Sequence, residues 1–470
     1  MSRRRNAARG AEGKRIACEL TERDTRLEPE LDGPPAMETL LDRPAPDAAP
    51  AVPAPLDAVS QPLGAVVSRP LAAAVLGTTA VVAGLLWDIS WHASIGRDTF
   101  WTPAHLAIYL GGLLCGLSAG WQALSTTFAG TAAQRGMAVG FWGFRAPLGA
   151  WVAIWGSIAM LTSAPFDNWW HEAYGLDVKI ISPPHLLLAA GVLATQLGAM
   201  LQALAAQNRQ GDARGQAGEP APPGARSVRL GEAGSRVAWI YAYTGGLLLT
   251  LVSTMFLEYN EPNKQHGALF YEICCAAYPL ILVAVARGSR LRWPATTVAG
   301  IFMAVRLAMS WLLPLFPATP RLAPIYNPVH HLWPPYFPEL LIVPAVALDL
   351  LLRRAGRPGG ALAPPNGAGR QGRRAARALA LALAVGAVFF ALLLAAQWSF
   401  SELLLSPYAR NWFFAADQWT YRAHPGAWRY RYWLEGDAFG PRAAALSLLL
   451  AAASARLGLA WGGWLSRVRR

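Results

Sequence analysis

Cysteine is scarce, with four in 470 residues. That excludes a disulfide framework, and Cys18, Cys115, Cys274 and Cys275 lack the spacing of zinc ligands. They read as structural residues. Charge is scarce as well. Asp, Glu, Lys and Arg make up 15% of the chain, against roughly 25% in a soluble domain, which excludes an ordinary water-soluble fold. No apolar stretch follows the first arginines, so the start does not read as a secretory signal. The net charge is +13, but the basic residues lie between apolar runs rather than in one patch. That argues against nucleic acid as a partner and for a lipid bilayer.

What abounds is apolar: 54% of residues are hydrophobic. Several runs reach about 20 residues, the length of a helical membrane crossing. Ten spans are expected, at 71–87, 103–128, 147–163, 183–206, 237–257, 268–287, 293–316, 335–352, 377–400 and 441–463. The fold class is therefore all-α, a polytopic membrane helical bundle. The first and third helices are expected to continue to His92 and His171. Residues 1–66 read as a disordered cytoplasmic tail. Residues 67–206 read as a four-helix domain, 207–236 as a flexible linker, and 237–470 as a six-helix domain with a polar linker at 353–376. Every second inter-span segment is basic, which puts both termini in the cytoplasm. All eight histidines then fall on the opposite side, the periplasmic face of a bacterial inner membrane.

Four of those histidines belong to a repeated pattern. Asp88 and His92 are four apart, so a helix carries both on one face. His105 follows just after Pro103, a residue that favours the first turn of a helix. The same order recurs as Asp167, His171 and, after Pro183 and Pro184, His185. The offset is 79 residues for the aspartates and for the first histidines, and 80 for the second histidines. One carboxylate with two imidazoles is a common ligand set for copper, iron or zinc. Three ligands from one helical hairpin leave coordination positions open for water, dioxygen or substrate.

Arg97, Asp98, Asn168, Glu172 and Asp177 are candidates to orient the imidazoles. Trp87, Trp91, Trp101, Trp169 and Trp170 are candidates for an apolar wall, and equally for interface aromatics. Glu258, Glu261, His266 and Glu272 form a third candidate metal group around the next outer loop. His330, His331 and His424 read as surface residues. The aromatic stretch from Trp412 to Trp433 reads as an interfacial segment, with a substrate lid as the alternative. Arg306 is a charge near the middle of a span with no partner visible in the sequence, a functional candidate by its cost alone.

Residues 88–105 resemble the metal-binding segment of the C subunit of the copper membrane monooxygenases, the particulate methane and ammonia monooxygenases. The resemblance rests on Asp88-x-x-x-His92, Arg97-Asp98-Thr99 and Thr102-Pro103-x-His105 at matching spacing. It implies that Asp88, His92 and His105 hold an intramembrane copper ion. The second segment is similar to the family's neighbouring copper site, where Asn, His and His stand at the positions of Asp167, His171 and His185. Asp167 in place of Asn is a departure that adds negative charge. The resemblance covers about 70–206. It implies copper as cofactor, dioxygen and a small apolar substrate, and either further monooxygenase-type subunits or a homo-oligomer as partners. A non-enzymatic copper transporter, store or assembly factor is the alternative that the same ligands support.

Overall fold

Proline opens many of the helices. It has no N–H to leave unpaired, so a first turn accommodates it at no cost. Pro70, Pro103, Pro294 and Pro441 stand at the starts of α1 (Arg69–Ser94), α2 (Pro103–Leu124), α8 (Pro294–Leu312) and α11 (Pro441–Leu465). The computed structural model describes residues 67–96, 99–175, 182–216, 232–356, 362, 371–424, 432–434 and 438–470. The expected tail, Arg97, Asp98, Asp177, Trp428 and Tyr430 lie outside them, as do residues 217–231 and most of 356–370.

The remaining elements are α3 (Ala132–Gly136), a hairpin of β1 (Val139–Phe141) and β2 (Phe144–Ala146), α4 (Leu148–Tyr174) and α5 (Pro183–Gln216). They are followed by α6 (Glu232–Met255), α7 (Ala268–Gly288), α9 (Ile342–Ala355) and α10 (Gln371–Leu405). Among the described residues nine helices are long and apolar enough to cross a membrane. The protein is an all-α polytopic bundle, as its sequence implies. α1 and α4 run on to carry His92 and His171, α4 doing so through an internal Pro165. Both expected linkers are shorter than their composition suggests. Helix continues through 207–216 and resumes at 232, and α10 begins at 371.

The expected crossing at 335–352 is built differently. Its helix, α9, has only 14 residues, about 21 Å at 1.5 Å per residue and too short for a bilayer core of about 30 Å. An extended, buried segment from Leu332 to Leu341 makes up the difference. The end of α9 lies at the start of α8. Asp349 accepts hydrogen bonds from the Ala295 and Thr296 amides at 3.0 and 2.9 Å, and Arg353 stacks on Trp293 at 3.7 Å. A carboxylate there caps free amides and meets the positive end of the helix dipole.

The described residues form one compact unit. Its largest core runs from Leu71 through Met200, Tyr241, Tyr278 and Phe302 to Phe389 and Leu459, so the apolar interior does not break near 207–236.

Helices α1 and α2 form one hairpin, and α4 and α5 form a second. Their close approach depends on glycine. A Cβ on Gly77 would meet the Gly111 carbonyl at 2.7 Å, and one on Gly156 would meet the Gly191 carbonyl at 2.8 Å. Small residues let membrane helices pack backbone to backbone. Gly77 and Gly156 are 79 apart, and Gly111 and Gly191 are 80 apart, the offsets of the Asp-His-His pattern. The whole hairpin is duplicated, not only its polar turn.

Candidate metal centre

Each hairpin delivers its Asp-His-His residues in the same way. α1 carries Asp88 and His92 one turn apart near its end, and α4 does so with Asp167 and His171. The next helix then starts under a hydroxyl cap. The Thr102 Oγ1 accepts from the His105 amide at 3.3 Å, and the Ser182 Oγ from the His185 amide at 3.5 Å. These caps, three residues before each histidine, fix where the histidine leaves the helix.

The imidazoles close on the carboxylates. His92 Nε2 lies 3.7 Å from Asp88 Oδ2, and His105 Nε2 lies 3.3 Å from Asp88 Oδ1. In the second hairpin His171 Nε2 is 3.4 Å from Asp167 Oδ2, and His185 Nε2 is 3.6 Å from Asp167 Oδ1. The three groups of the first triad have ligand atoms within 4.8 Å of one another, and among the described residues this is the set that converges as a metal site does. The second triad has the same partners with a wider spread, its imidazole rings 6.5 Å apart.

In two of the rings the far side fixes the tautomer. His105 Nδ1 lies 3.1 Å from the Thr99 carbonyl, and His171 Nδ1 lies 3.2 Å from the Gly175 carbonyl. A carbonyl only accepts, so Nδ1 carries the proton and a neutral ring presents a bare Nε2 to the aspartate. His185 Nδ1 meets the Ser182 hydroxyl at 2.8 Å. Tying the outer nitrogen to a protein oxygen is how ligating histidines are held.

The spacing then fits a cation. Two atoms bound to one ion at about 2 Å lie roughly 3 to 3.5 Å apart. The triad separations fall at or just beyond that range, and at His105 and His171 a neutral ring with its proton on Nδ1 sets a lone-pair nitrogen against a carboxylate oxygen. Among the described residues, Oδ1 of Asp88 and of Asp167 is buried and accepts no hydrogen bond. Copper, iron and zinc all fit such a donor set.

Other candidates fall elsewhere. Asn168 Nδ2 donates to Glu172 Oε1 at 3.0 Å, so these two bond to each other. Trp101 and Trp169 are 69% and 53% exposed and face outward rather than walling the triads. Trp87 and Trp91 pack under Ile95 and Tyr421. Glu261 pairs with Lys264 at 3.6 Å. The Glu258 carbonyl accepts from Lys264, and Glu272 sits on α7. His266 packs on Trp398 at 4.5 Å beside Ser401. Burial lowers its pKa, and the charge of Glu402 works against that shift.

Sequence reasoning missed the cap on the first triad. The aromatic segment before α11 docks on the turn after His92. The Tyr421 amide donates to the Ala93 carbonyl at 3.2 Å, and the Arg321 amide to the Ile95 carbonyl at 2.8 Å. Tyr421 is 1% exposed. A Cβ on Gly96 would strike its hydroxyl, and Gly96 has φ +82°, so that turn needs glycine twice over. The Thr99 and Gly175 carbonyls were equally invisible, because backbone acceptors leave no mark in a sequence.

The fold and site define a class: a polytopic helical bundle with a duplicated Asp-His-His hairpin. No protein-family model, curated protein or solved structure matches the chain.

Proposed function

We propose that this is a copper-binding integral membrane protein whose first triad, Asp88, His92 and His105, is a copper centre serving dioxygen-dependent hydroxylation of a small apolar substrate. The observation that carries the reading is the convergence of those three side chains, with the His105 Nδ1 committed to a backbone carbonyl and its Nε2 turned inward. The motif's likeness to the monooxygenase C subunit favours copper over iron or zinc. Bound copper would supply the redox chemistry that inserts one atom of dioxygen into a C–H or N–H bond while the other leaves as water, with two electrons drawn from an external reductant.

The chain's own residues prepare the site. Asp88 offers a charge to balance a cation and spans both imidazoles with its two oxygens. Tyr109 and Phe100 flank His105, with ring centroids 5.9 Å from His105 to Tyr109 and 5.2 Å from Phe100 to Tyr109. Leu106, Leu110, Leu113 and Leu117 expose an apolar face of α2 that leads from His105 along the helix. An apolar substrate dissolved in lipid would approach along it. Basic inter-span segments favour the triads on the periplasmic side, both termini being cytoplasmic. The second hairpin would hold a second ion, and the duplication also suits copper storage or delivery.

Copper(II) loading followed by electron paramagnetic resonance tests the site. Hyperfine structure from imidazole nitrogen, diminished in His92→Ala and in His105→Ala, is the expected result. A spectrum of adventitious copper, identical in parent and variants, would refute the site. Oxygen uptake that depends on an added small hydrocarbon or ammonia, with a two-electron reductant supplied, separates hydroxylation from storage.

A further inference from the structure

The two hairpins are copies, yet the backs of their metal-bearing helices meet different surroundings. Asp88 and His92 share one face of α1. Ser90 and Ser94, each two residues further on, lie about 200° round the helix. At the 79-residue offset, Trp169 and Ala173 stand on α4 where α1 has Ser90 and Ser94. Ser90 and Ser94 are both 0% exposed, whereas Trp169 is 53% exposed and Ala173 is also exposed. The glycines that end the two helices differ in the same way. A Cβ on Gly96 would strike Tyr421, and one on Gly175 would meet nothing within 4 Å.

The back of α1 is covered by the extended segment from Leu332 to Leu341. The Trp333 amide donates to Ser94 Oγ at 2.6 Å, and that hydroxyl donates to the Ser90 carbonyl at 2.7 Å. Trp333 and Tyr336, with ring centroids 4.9 Å apart, pack with Ile89, Ala93 and Leu257. The Ala93 and Ile95 carbonyls accept from the Tyr421 and Arg321 amides. A helix end leaves its last carbonyls without intrahelical partners. Here the three residues after His92 are all held from outside the hairpin. The segment is itself anchored. Pro334, Pro335 and Pro338 fix three φ angles. The Pro335 carbonyl accepts from Ser310 Oγ at 2.8 Å, the Tyr336 carbonyl accepts from Arg306 Nη2 at 3.1 Å, and the Leu340 amide donates to Gln397 Oε1 at 3.0 Å. Arg306 is 0% exposed on α8. A buried charge there secures non-helical backbone that must find its polar partners within the protein.

The end of α4 is built the other way. Pro165 stands two residues before Asp167 and cannot donate the helical bond to the Leu161 carbonyl. The second triad is also the less convergent of the two, its imidazole rings 6.5 Å apart. Letting an ion go requires its ligands to part, and a braced helix end keeps them together, which slows release. We propose that the two triads have diverged into a retained and an exchangeable metal site. Ser94 and the segment behind it position the first triad, so that it keeps its ion, and the second triad takes up and releases one. This rests on the reading of the triads as metal centres. Ser94 and Arg306 touch no ion and act through α1, so they are positioning residues.

Release of copper(II) from the loaded full-length protein into excess chelator, followed by electron paramagnetic resonance, tests this. Two phases at least about tenfold apart are expected, the slower absent in His105→Ala and the faster absent in His185→Ala. Ser94→Ala should speed the slow phase by about tenfold, leave the fast phase unchanged and alter the nitrogen hyperfine pattern of the first triad alone. A single rate in the parent, or a slower phase belonging to the second triad, would overturn the proposal without any variant of the brace. Hydrogen exchange of the metal-free protein separates this failure from failure of the metal reading. Amides 93–96 should exchange more slowly than amides 172–175, and Ser94→Ala should speed the first set alone. Equal protection of the two helix ends would overturn the bracing even where copper binds. A protected α1 end in a protein that takes up no copper would instead overturn the metal reading, and the division into two kinds of site with it.

Discussion

Two kinds of His–Asp contact occur in this protein. His331 Nε2 meets Asp417 Oδ2 at 2.9 Å, an ordinary charge-assisted hydrogen bond, whereas the four triad contacts run from 3.3 to 3.7 Å. The first ties two loops together, and the others leave room for an ion. Asp417, chiefly through its hydrogen bond, raises the pKa of His331 above the ordinary 6.5, against burial that lowers it. A group raised on folding stabilises fully below its unfolded pKa and loses that contribution as pH climbs through the folded value. His331→Gln should therefore lower the Tm most in acid, by a margin worth on the order of 1 kcal/mol, and least in alkali. A pH-independent difference would contradict the pair. Ser182 both caps α5 and holds His185 Nδ1. Ser182→Ala should weaken metal binding at the second triad by about 10- to 100-fold and leave the first triad unchanged, read by competition with a chelator.

At the scale of the element, each hairpin's turn is held by features that reach well beyond the ligands. Gly77 and Gly111 set the α1–α2 approach as Gly156 and Gly191 set that of α4 and α5. Gly77→Val should force α1 from α2 at a cost of about 1–3 kcal/mol and loosen the first triad, lowering both the Tm and the metal content. Gly96→Ala should displace Tyr421 and lift the cap with a smaller loss of global stability, seen as faster proteolysis between residues 321 and 424. The members of the two triads could be picked out in the sequence because an i, i+4 pair followed by a proline-led histidine is a local pattern, and it occurs twice. The glycine offsets of 79 and 80 were present in the same letters, but glycine abounds in membrane helices, so the recurrence gained meaning only once the helices were seen to touch there.

At the scale of the molecule, hydropathy revealed nine helices long enough to span. It misread the crossing at 335–352, because a window average cannot separate a proline-rich extended segment from a helix. The buried carboxylate whose charge acts on Arg306 was hidden for a related reason. Glu339 arrives from a non-helical segment, and the tertiary fold alone brings it near. The proposed orientation rests on inter-span charge, and it predicts opposite labelling of two exposed positions. In a chain carrying Cys18→Ser, a membrane-impermeant thiol reagent should reach Tyr408→Cys from the periplasm and Gln134→Cys only after the membrane is opened. The reverse pattern would invert the topology. The most direct test of the whole account is the copper, iron and zinc content of the purified protein, measured beside a variant carrying Asp88→Ala, His92→Ala and His105→Ala. The account predicts copper in the parent and about one equivalent less in the variant. Equal metal content in the two, after loading with copper under oxidising and reducing conditions, would contradict it.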